Sequence, residues 1–239
     1  MFHFNHSTLA AALVLFAFTA SAAEDGADPD IPEGFAFLDE AIPGLELDLR
    51  YTTNNNFVGA PIDGYEHGRA ILSVQAAEAL NRVQAYLETF GLGLKVFDAY
   101  RPQRAVDHFV RWAADLDDER TKSRFYPEVP KSELFERGYI AERSSHSRGS
   151  TVDVTIVFRT EDGSVVELDM GSPYDYFDSI SWPDSSKVTP VQRANRALLQ
   201  RVMQSEGFSH FPQEWWHFTL RDEPFPDTYF DFPDTGSRE

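Results

Sequence analysis

The sequence predicts a single α+β domain, in which helices pack against a small, mainly antiparallel sheet. Segments with apolar residues at helical spacing are mixed with short segments in which apolar and polar residues alternate, as they do in strands. Hairpin turn signals such as Glu161-Asp162-Gly163, and not helical crossovers, join neighbouring strands. At 239 residues, 42% of them hydrophobic, the chain has enough mass for one core, and no internal repeat divides it.

Two segments are predicted to precede this domain. Residues 9–20 form an apolar run as long as the centre of a secretory signal, yet too short to span a bilayer. Small residues at 20–22 offer a cleavage site, so residues 1–23 are predicted to be a signal peptide. A linker rich in Asp, Pro and Ala occupies 24–34, and the domain occupies 35–236. The alternative is a cytosolic chain with an apolar N-terminal helix, because no Lys or Arg precedes the run.

Composition narrows the classes of function. With 21 Lys and Arg against 39 Asp and Glu, the formal net charge is −18. We therefore expect no nucleic-acid partner and no stable membrane association after signal cleavage. The chain has no cysteine, so thiol catalysis and cysteine-type zinc sites are excluded, and any metal site must use His, Asp and Glu. An exported, acidic, cysteine-free protein fits the bacterial periplasm, and the sequence leaves the oligomeric state open.

The first long helix is predicted over residues 71–90. Apolar residues recur there at helical spacing, and Gly91 is a typical stop after the last turn. Residues 92–99 then alternate as a strand. Pro102 opens the next helix, because its ring suits the first helical position. Arg101 therefore lies at a junction between strand and helix, from which a side chain can be aimed.

The second half of the domain is predicted to hold a hairpin, a helix and closing strands. Residues 151–158 alternate as a strand that returns through a hairpin. Thr189 caps the last helix and Gly207 ends it. Short strands near 208–211 and 215–220 close the fold. The residues of the last helix that are predicted to face inward are Val191, Ala194, Leu198 and Val202.

Two separate segments carry residues suited to a metal ion. His146 lies in a serine-rich loop, and a turn at Gly149 lets Asp153 of the following strand approach it. Later in the chain, Glu214 stands three residues before His217. Two imidazoles and one carboxylate leave a fourth position open on a tetrahedral zinc ion, and the spare carboxylate suits a general base. Such a site requires a bend between Glu214 and His217, since residues three apart on a strand point to opposite faces.

Each segment also has a purely structural interpretation. His146 and Asp153 would then be a surface histidine and a carboxylate paired with Arg148. His217 would be a hydrogen-bonded core histidine beside a Trp-Trp plug. Arg101 would form an ordinary salt bridge, where the functional interpretation has it stabilise a developing negative charge. The two segments together favour zinc, because each supplies ligands that the other lacks.

The motifs Asp98-Ala99-Tyr100-Arg101-Pro102, Ser145-His146-Ser147-Arg148-Gly149 and Glu214-Trp215-Trp216-His217 resemble those of one family. Over nearly the whole domain, the chain resembles the zinc D-alanyl-D-alanine dipeptidases, the group that includes the vancomycin-resistance dipeptidases. The resemblance implies the small α+β fold shared with D,D-carboxypeptidases and hedgehog-type domains.

The resemblance also implies the metal and the catalytic residues. It implies one zinc ion per chain on His146, Asp153 and His217. It implies that Glu214 is the catalytic base and that Arg101 stabilises the transition state.

The same resemblance implies a substrate. Tyr51 and Asp175 would lie near the amino group of the dipeptide, with Ser144 in the pocket wall, although Asp175 could simply cap a tight turn. The implied reaction is zinc-dependent hydrolysis of D-Ala-D-Ala, from cell-wall precursors or turnover, to two D-alanines. One alternative is a D,D-carboxypeptidase or endopeptidase that trims peptidoglycan stem peptides. A non-catalytic, zinc-dependent cell-wall binding module is another, and Glu214 argues against it, because binding alone needs no base.

Overall fold

The computed structural model describes residues 31–234. The signal-peptide prediction for residues 1–23 and most of the linker prediction for 24–34 lie outside the described residues. None of the helices in the described range combines the length and the apolar character that crossing a bilayer requires.

Short strands and five α-helices make up the regular structure of the described residues. The strands are β1 (Phe35–Phe37), β2 (Glu46–Leu47), β3 (Ile71–Ser73), β4 (Leu92–Asp98), β5 (Thr151–Arg159), β6 (Val165–Glu167), β7 (Phe208–His210) and β8 (His217–Leu220). The helices are α1 (Leu38–Ala41), α2 (Val74–Glu88), α3 (Gln103–Ala114), α4 (Lys122–Phe125) and α5 (Pro190–Ser205). The predicted mixture of helices and strands is confirmed.

The main sheet has six strands in the order β2–β4–β5–β8–β7, with β6 paired to the far end of β5. Every pairing in it is antiparallel except that of β2 with β4. The mainly antiparallel sheet is therefore confirmed. Residues 151–157 of β5 are buried without exception, so both faces of this strand lie inside the protein. Asp153 and Thr155, on the polar face predicted from the alternation, are thus inside as well.

The ends of two helices differ slightly from the sequence prediction. Helix α2 begins at Val74 and not at Ile71, because Ile71–Ser73 pairs with β1 as a strand. Its predicted stop is confirmed, since Gly91 has a left-handed φ of 70°. Pro102 caps α3 and the helix begins one residue later, at Gln103.

The predicted capping of α5 is confirmed, but the predicted inward face is wrong except at Val202, which is buried. Thr189 and Gln192 form a capping box at its start. Val191 and Leu198 are 68% and 37% exposed. The buried residues of the helix are Arg196, Leu199, Val202 and Met203.

Arg196 explains this different face. Its guanidinium donates to three backbone carbonyl oxygens, those of Met170, Ile180 and Trp182. A buried arginine whose donors are satisfied in this way can occupy the inner face of a helix. The spacing of apolar residues alone therefore predicts the wrong face.

The C-terminal segment closes the domain on the side of β1. Phe225, Phe230 and Phe232 pack around Phe35, with ring centroids 5.0–5.5 Å from its ring. Asp234, near the end of the segment, is buried, and its carboxylate accepts the backbone N–H groups of residues 66–69 at 2.5–3.3 Å. The carboxylate thus ties the C-terminal segment to the loop before β3.

Candidate metal centre and catalytic cavity

One row of side chains across three neighbouring strands forms the base of the site. The register pairs Asp98 of β4 with Asp153 of β5, and Asp153 with His217 of β8. The β4–β5 register shifts between Val96 and Asp98, as at a β-bulge, and this shift sets Asp98 opposite Asp153. The sheet therefore brings together residues that lie far apart in the sequence.

A single 3-10 turn, Ser145–Arg148, adds His146 to this row. Ser144 caps the turn by accepting the backbone N–H of His146. Gly149 ends it with a left-handed φ of 80°, and a Cβ at this position would lie 2.2 Å from a ring carbon of Phe35. Both the conformation and the packing require glycine here. The sequence prediction that Gly149 lets His146 and Asp153 converge is confirmed.

Three ligand atoms meet at tetrahedral spacing. Asp153 Oδ1 lies 3.3 Å from His146 Nε2 and 3.2 Å from His217 Nδ1. The two imidazole nitrogens are 3.3 Å apart. Ligands about 2.0–2.1 Å from a tetrahedral zinc ion are separated by about 3.3–3.4 Å. Within the described residues, His146, Asp153 and His217 form a group whose ligand atoms lie close enough together to hold a metal ion.

Hydrogen bonding shows that these atoms fit a cation. His146 Nδ1 lies 2.7 Å from the carbonyl oxygen of Ala99 and donates its proton there, so Nε2 turns a lone pair towards Asp153. Asp153 Oδ1 is buried without a hydrogen-bond donor. The lone pair of His146 Nε2 and the carboxylate oxygen repel one another in a buried site, and a divalent cation between them removes the repulsion. The chemistry of the donor set therefore fits zinc.

Glu214 lies beside the three ligands. It precedes β8 in a turn, and its Oε2 is 3.4 Å from His217 Nδ1, so the bend required by the sequence is present. Burial raises the pKa of Glu214 to about 7, with the charge of Asp153 adding to the rise, whereas His217 and Arg101 oppose it. A carboxylate whose pKa is near neutrality is suited to general acid–base chemistry.

The salt bridge considered for Arg101 is present, and the same side chain approaches Asp153. Its guanidinium pairs with Asp98 Oδ2 at 2.8 Å, and the side chain is only 13% exposed. Nη2 also lies 3.8 Å from Asp153 Oδ2, and Nη1 donates to Ser144 Oγ at 3.4 Å. Arg101 is therefore held by a buried salt bridge while it borders the space in front of the ligands.

Asp175 lines the same space. Its backbone φ is 60°, a conformation that is uncommon for residues other than glycine. The hydroxyl of Tyr51 donates to its carboxylate at 3.0 Å, and burial followed by the charge of Asp153 raises the pKa of Asp175 well above its usual range. A buried carboxylate with this environment gains from a positively charged partner.

A cavity of about 530 Å³ joins these groups. Seven of the eight candidate residues line it, namely Tyr51, Arg101, Ser144, Asp153, Asp175, Glu214 and His217. His146 is 1% exposed and lies behind the wall, where it reaches Asp153. The pairing of Asp153 with Arg148, considered from sequence, is wrong, because Arg148 pairs with Glu223 at 2.6 Å.

Sequence reasoning missed three side chains that support this site. Tyr65 donates to Asp98 Oδ1 at 2.6 Å, and Asp98 in turn holds Arg101. Tyr174 donates to Asp153 Oδ2 at 3.0 Å. Two of them could have been suspected from their positions in the sequence. Asp98 stands three residues before Arg101 at a strand end, and Tyr174 directly precedes Asp175.

Comparison with known proteins identifies the family. The sequence pattern of peptidase family M15, described as D-ala-D-ala dipeptidase, matches residues 32–235. The chain belongs to this family. It is therefore a metallopeptidase, and the resemblance seen in the sequence is confirmed.

Curated relatives in the family are similar over most of their length. A D-alanyl-D-alanine dipeptidase of Streptomyces coelicolor is 47% identical over 199 residues, covering 83% of this chain and 97% of the relative. One from Enterococcus faecalis is 44% identical, with the same coverage. Among solved structures, a zinc complex of a mutant vancomycin-resistance D,D-pentapeptidase, VanY, aligns with a TM-score of 0.38 at 13% identity. That alignment covers 66% of this chain and 77% of the other.

Proposed function

We propose that this metallopeptidase hydrolyses the free dipeptide D-Ala-D-Ala to two D-alanines and uses one zinc ion per chain. The observation that carries the proposal is the tetrahedral spacing of the ligand atoms of His146, Asp153 and His217, with Glu214 beside them. The dipeptidase relatives, whose lengths are almost completely matched, support the choice of substrate. The dipeptide would come from cell-wall precursors or from peptidoglycan turnover.

The residues of the cavity have separate roles in the proposed reaction. Zinc bound by the three ligands would supply a Lewis acid for the scissile carbonyl and lower the pKa of the attacking water. Glu214, which lies beside the ligands, accepts the proton of that water and passes it to the leaving amine. Arg101, held by Asp98, faces the negative charge that develops on the carbonyl oxygen. Its buried salt bridge fixes the guanidinium before the substrate arrives.

The part of the cavity around Asp175 suits the free amino group of a dipeptide. Asp175 offers a buried carboxylate there, and the hydroxyl of Tyr51 orients it. Ser144 contributes to the wall and contacts Arg101. An ammonium group would supply a positive charge to pair with the carboxylate of Asp175, whereas an acylated amine would leave that carboxylate unpaired. This arrangement favours a dipeptide over a stem peptide.

Release of D-alanine from three substrates tests this proposal. We expect rapid hydrolysis of D-Ala-D-Ala and very slow hydrolysis of N-acetyl-D-Ala-D-Ala and of a pentapeptide stem. The variant Asp175→Ala should lose activity on the free dipeptide, since truncation of a buried charge pair costs about 2–5 kcal/mol. It should also lose much of the discrimination between the free and acetylated substrates. Equal rates on the free and the acetylated dipeptide for the unaltered enzyme would instead establish a D,D-carboxypeptidase.

We also propose that the enzyme is exported to the periplasm. The family match begins at residue 32, which leaves the predicted signal peptide, residues 1–23, outside the matched region. Cell fractionation followed by mass spectrometry of the mature N-terminus tests this. The expected product begins directly after Ala22 or Ala23 and lies in the periplasmic fraction. A chain that keeps residues 1–23 and lies in the cytosol would contradict export.

A further inference from the structure

Tyr174 is a rigidly held tyrosine behind the metal ligands. Its side chain is buried, its ring stacks on Phe97 at 4.6 Å, and its edge meets Trp216 at 5.4 Å. Aromatic contacts on two sides leave the ring little freedom to rotate. The hydroxyl group is therefore held in one place, 3.0 Å from Asp153 Oδ2 and 3.2 Å from the hydroxyl of Tyr51.

The single proton of this hydroxyl goes to Asp153. A phenol has one donor, and two acceptors are within reach, the carboxylate oxygen of Asp153 and the phenol oxygen of Tyr51. The carboxylate is nearer, and hydrogen bonds to charged acceptors are roughly twice as strong as neutral ones. The proton of Tyr51 is used separately, because its hydroxyl donates to Asp175.

The two oxygens of Asp153 have different surroundings. Oδ1 faces His146 Nε2 and His217 Nδ1 and has no hydrogen-bond donor. Oδ2 receives the hydroxyl of Tyr174, with Arg101 Nη2 farther away at 3.8 Å. A donor fixed on Oδ2 prevents the carboxylate from rotating and so keeps Oδ1 among the imidazoles.

We propose that Tyr174 is a positioning residue for the metal, which acts by holding Asp153 so that Oδ1 faces the ion. This inference rests on the zinc site of the proposed function. Hydrogen-bond partners of metal ligands set the orientation of those ligands, and their loss typically weakens metal binding by about 10- to 100-fold. The role of Tyr174 is separate from catalysis, because its hydroxyl touches a ligand and not the reacting atoms.

Competition with a chromophoric chelator measures the effect on zinc affinity. Tyr174→Phe removes only the hydroxyl and keeps the ring contacts with Phe97 and Trp216, so the protein should fold normally. We expect this variant to bind zinc about 10-fold more weakly, or weaker still. The unfolding midpoint of its metal-free form should fall slightly, because Asp153 Oδ2 loses its donor, and the rise in midpoint on adding zinc should become smaller.

Two matched variants serve as controls. Tyr126→Phe removes another buried hydroxyl, one that lies near Asp118 and away from the ligands, and should leave zinc affinity unchanged. Tyr51→Phe removes the neighbouring hydroxyl of the same cluster but leaves the contact between Tyr174 and Asp153, and should keep zinc affinity as well.

The outcomes separate this inference from the proposed function. An unaltered protein that binds no zinc would defeat the proposed function itself. If the unaltered protein binds zinc and Tyr174→Phe binds it equally well, the positioning role is wrong. A Tyr174→Phe protein whose metal-free form unfolds much earlier, with an unchanged gain on adding zinc, would show a packing role and would also overturn the inference.

Discussion

Asp153 and Asp234 are equally buried carboxylates, each 2% exposed, yet their surroundings are opposite. Both oxygens of Asp234 accept backbone N–H groups of residues 66–69. Asp153 has one oxygen without any donor, directed at two imidazole nitrogens. Burial therefore does not distinguish a structural carboxylate from a metal ligand, whereas the supply of donors does.

The difference has an energetic meaning. A buried charge whose hydrogen bonds are complete stabilises the fold, as Asp234 does where the C-terminal segment meets the loop before β3. A buried charge with an oxygen left without a donor is unfavourable until a cation arrives. Metal binding to such a site then stabilises the native state. We therefore expect zinc to raise the stability of this protein through the Asp153 region alone.

The largest loss of activity is expected from changes at the proposed ligands and at the base, and the two kinds of residue should differ in whether the variant still binds zinc. His217→Ala should lose the metal and with it all activity above background. Glu214→Ala should keep stoichiometric zinc and lose turnover by about 10²- to 10⁴-fold, because three ligands complete the site without it. Metal analysis and kcat on purified protein measure both. Glu214→Ala protein that purifies without zinc would make Glu214 a ligand and not the base.

The next largest loss of activity is expected at Arg101, which lies beside Asp153. Arg101→Ala should bind zinc and lose kcat by about 10²- to 10³-fold, the usual scale for removing a group that stabilises a transition-state charge. Because the change leaves Asp98 buried without its cation, Arg101→Lys serves as the control that keeps a positive charge. Steady-state kinetics decide the matter, since a raised KM with an unchanged kcat would make Arg101 a plain substrate clamp.

The smallest effect on activity should come from Asp234, the other carboxylate of the comparison. Asp234→Ala leaves the amides of residues 66–69 without their acceptor, so the free energy of unfolding should fall by about 2–4 kcal/mol. Urea unfolding of the metal-free protein measures this change. Zinc affinity and kcat of the folded variant should match those of the unaltered enzyme. A loss of zinc affinity would mean that the two buried carboxylates are not independent.

Sequence reasoning brought the proposed ligands and the proposed base together because their spacing within each segment is local. Alternation along β5 places Asp153 opposite the apolar face, and the turn at Gly149 brings His146 back. A bend between Glu214 and His217 is likewise required if both are to reach one ion, because residues three apart on a strand point to opposite faces. Within a segment, covalent geometry decides where such side chains point.

Most of the supporting contacts were beyond reach from sequence because their partners lie far apart in the chain. The hydroxyl of Tyr51 meets Asp175 across 124 positions, and Tyr174 meets Asp153 across 21. Such pairs depend on how the sheet and loops pack, which periodicity does not encode. The inner face of α5 was misjudged for the same reason, because Arg196 is buried by carbonyl groups of a distant loop.

Titration of zinc into metal-stripped enzyme, with release of D-alanine from D-Ala-D-Ala as the readout, tests the central claim most directly. Activity should be absent at the start, rise in proportion to added zinc and reach its plateau at one equivalent per chain. The Asp153→Ala protein, titrated in parallel, should stay inactive, while Asp234→Ala should follow the unaltered enzyme. Full activity in the stripped enzyme, or activity restored by zinc in Asp153→Ala, would contradict a zinc dipeptidase built on Asp153.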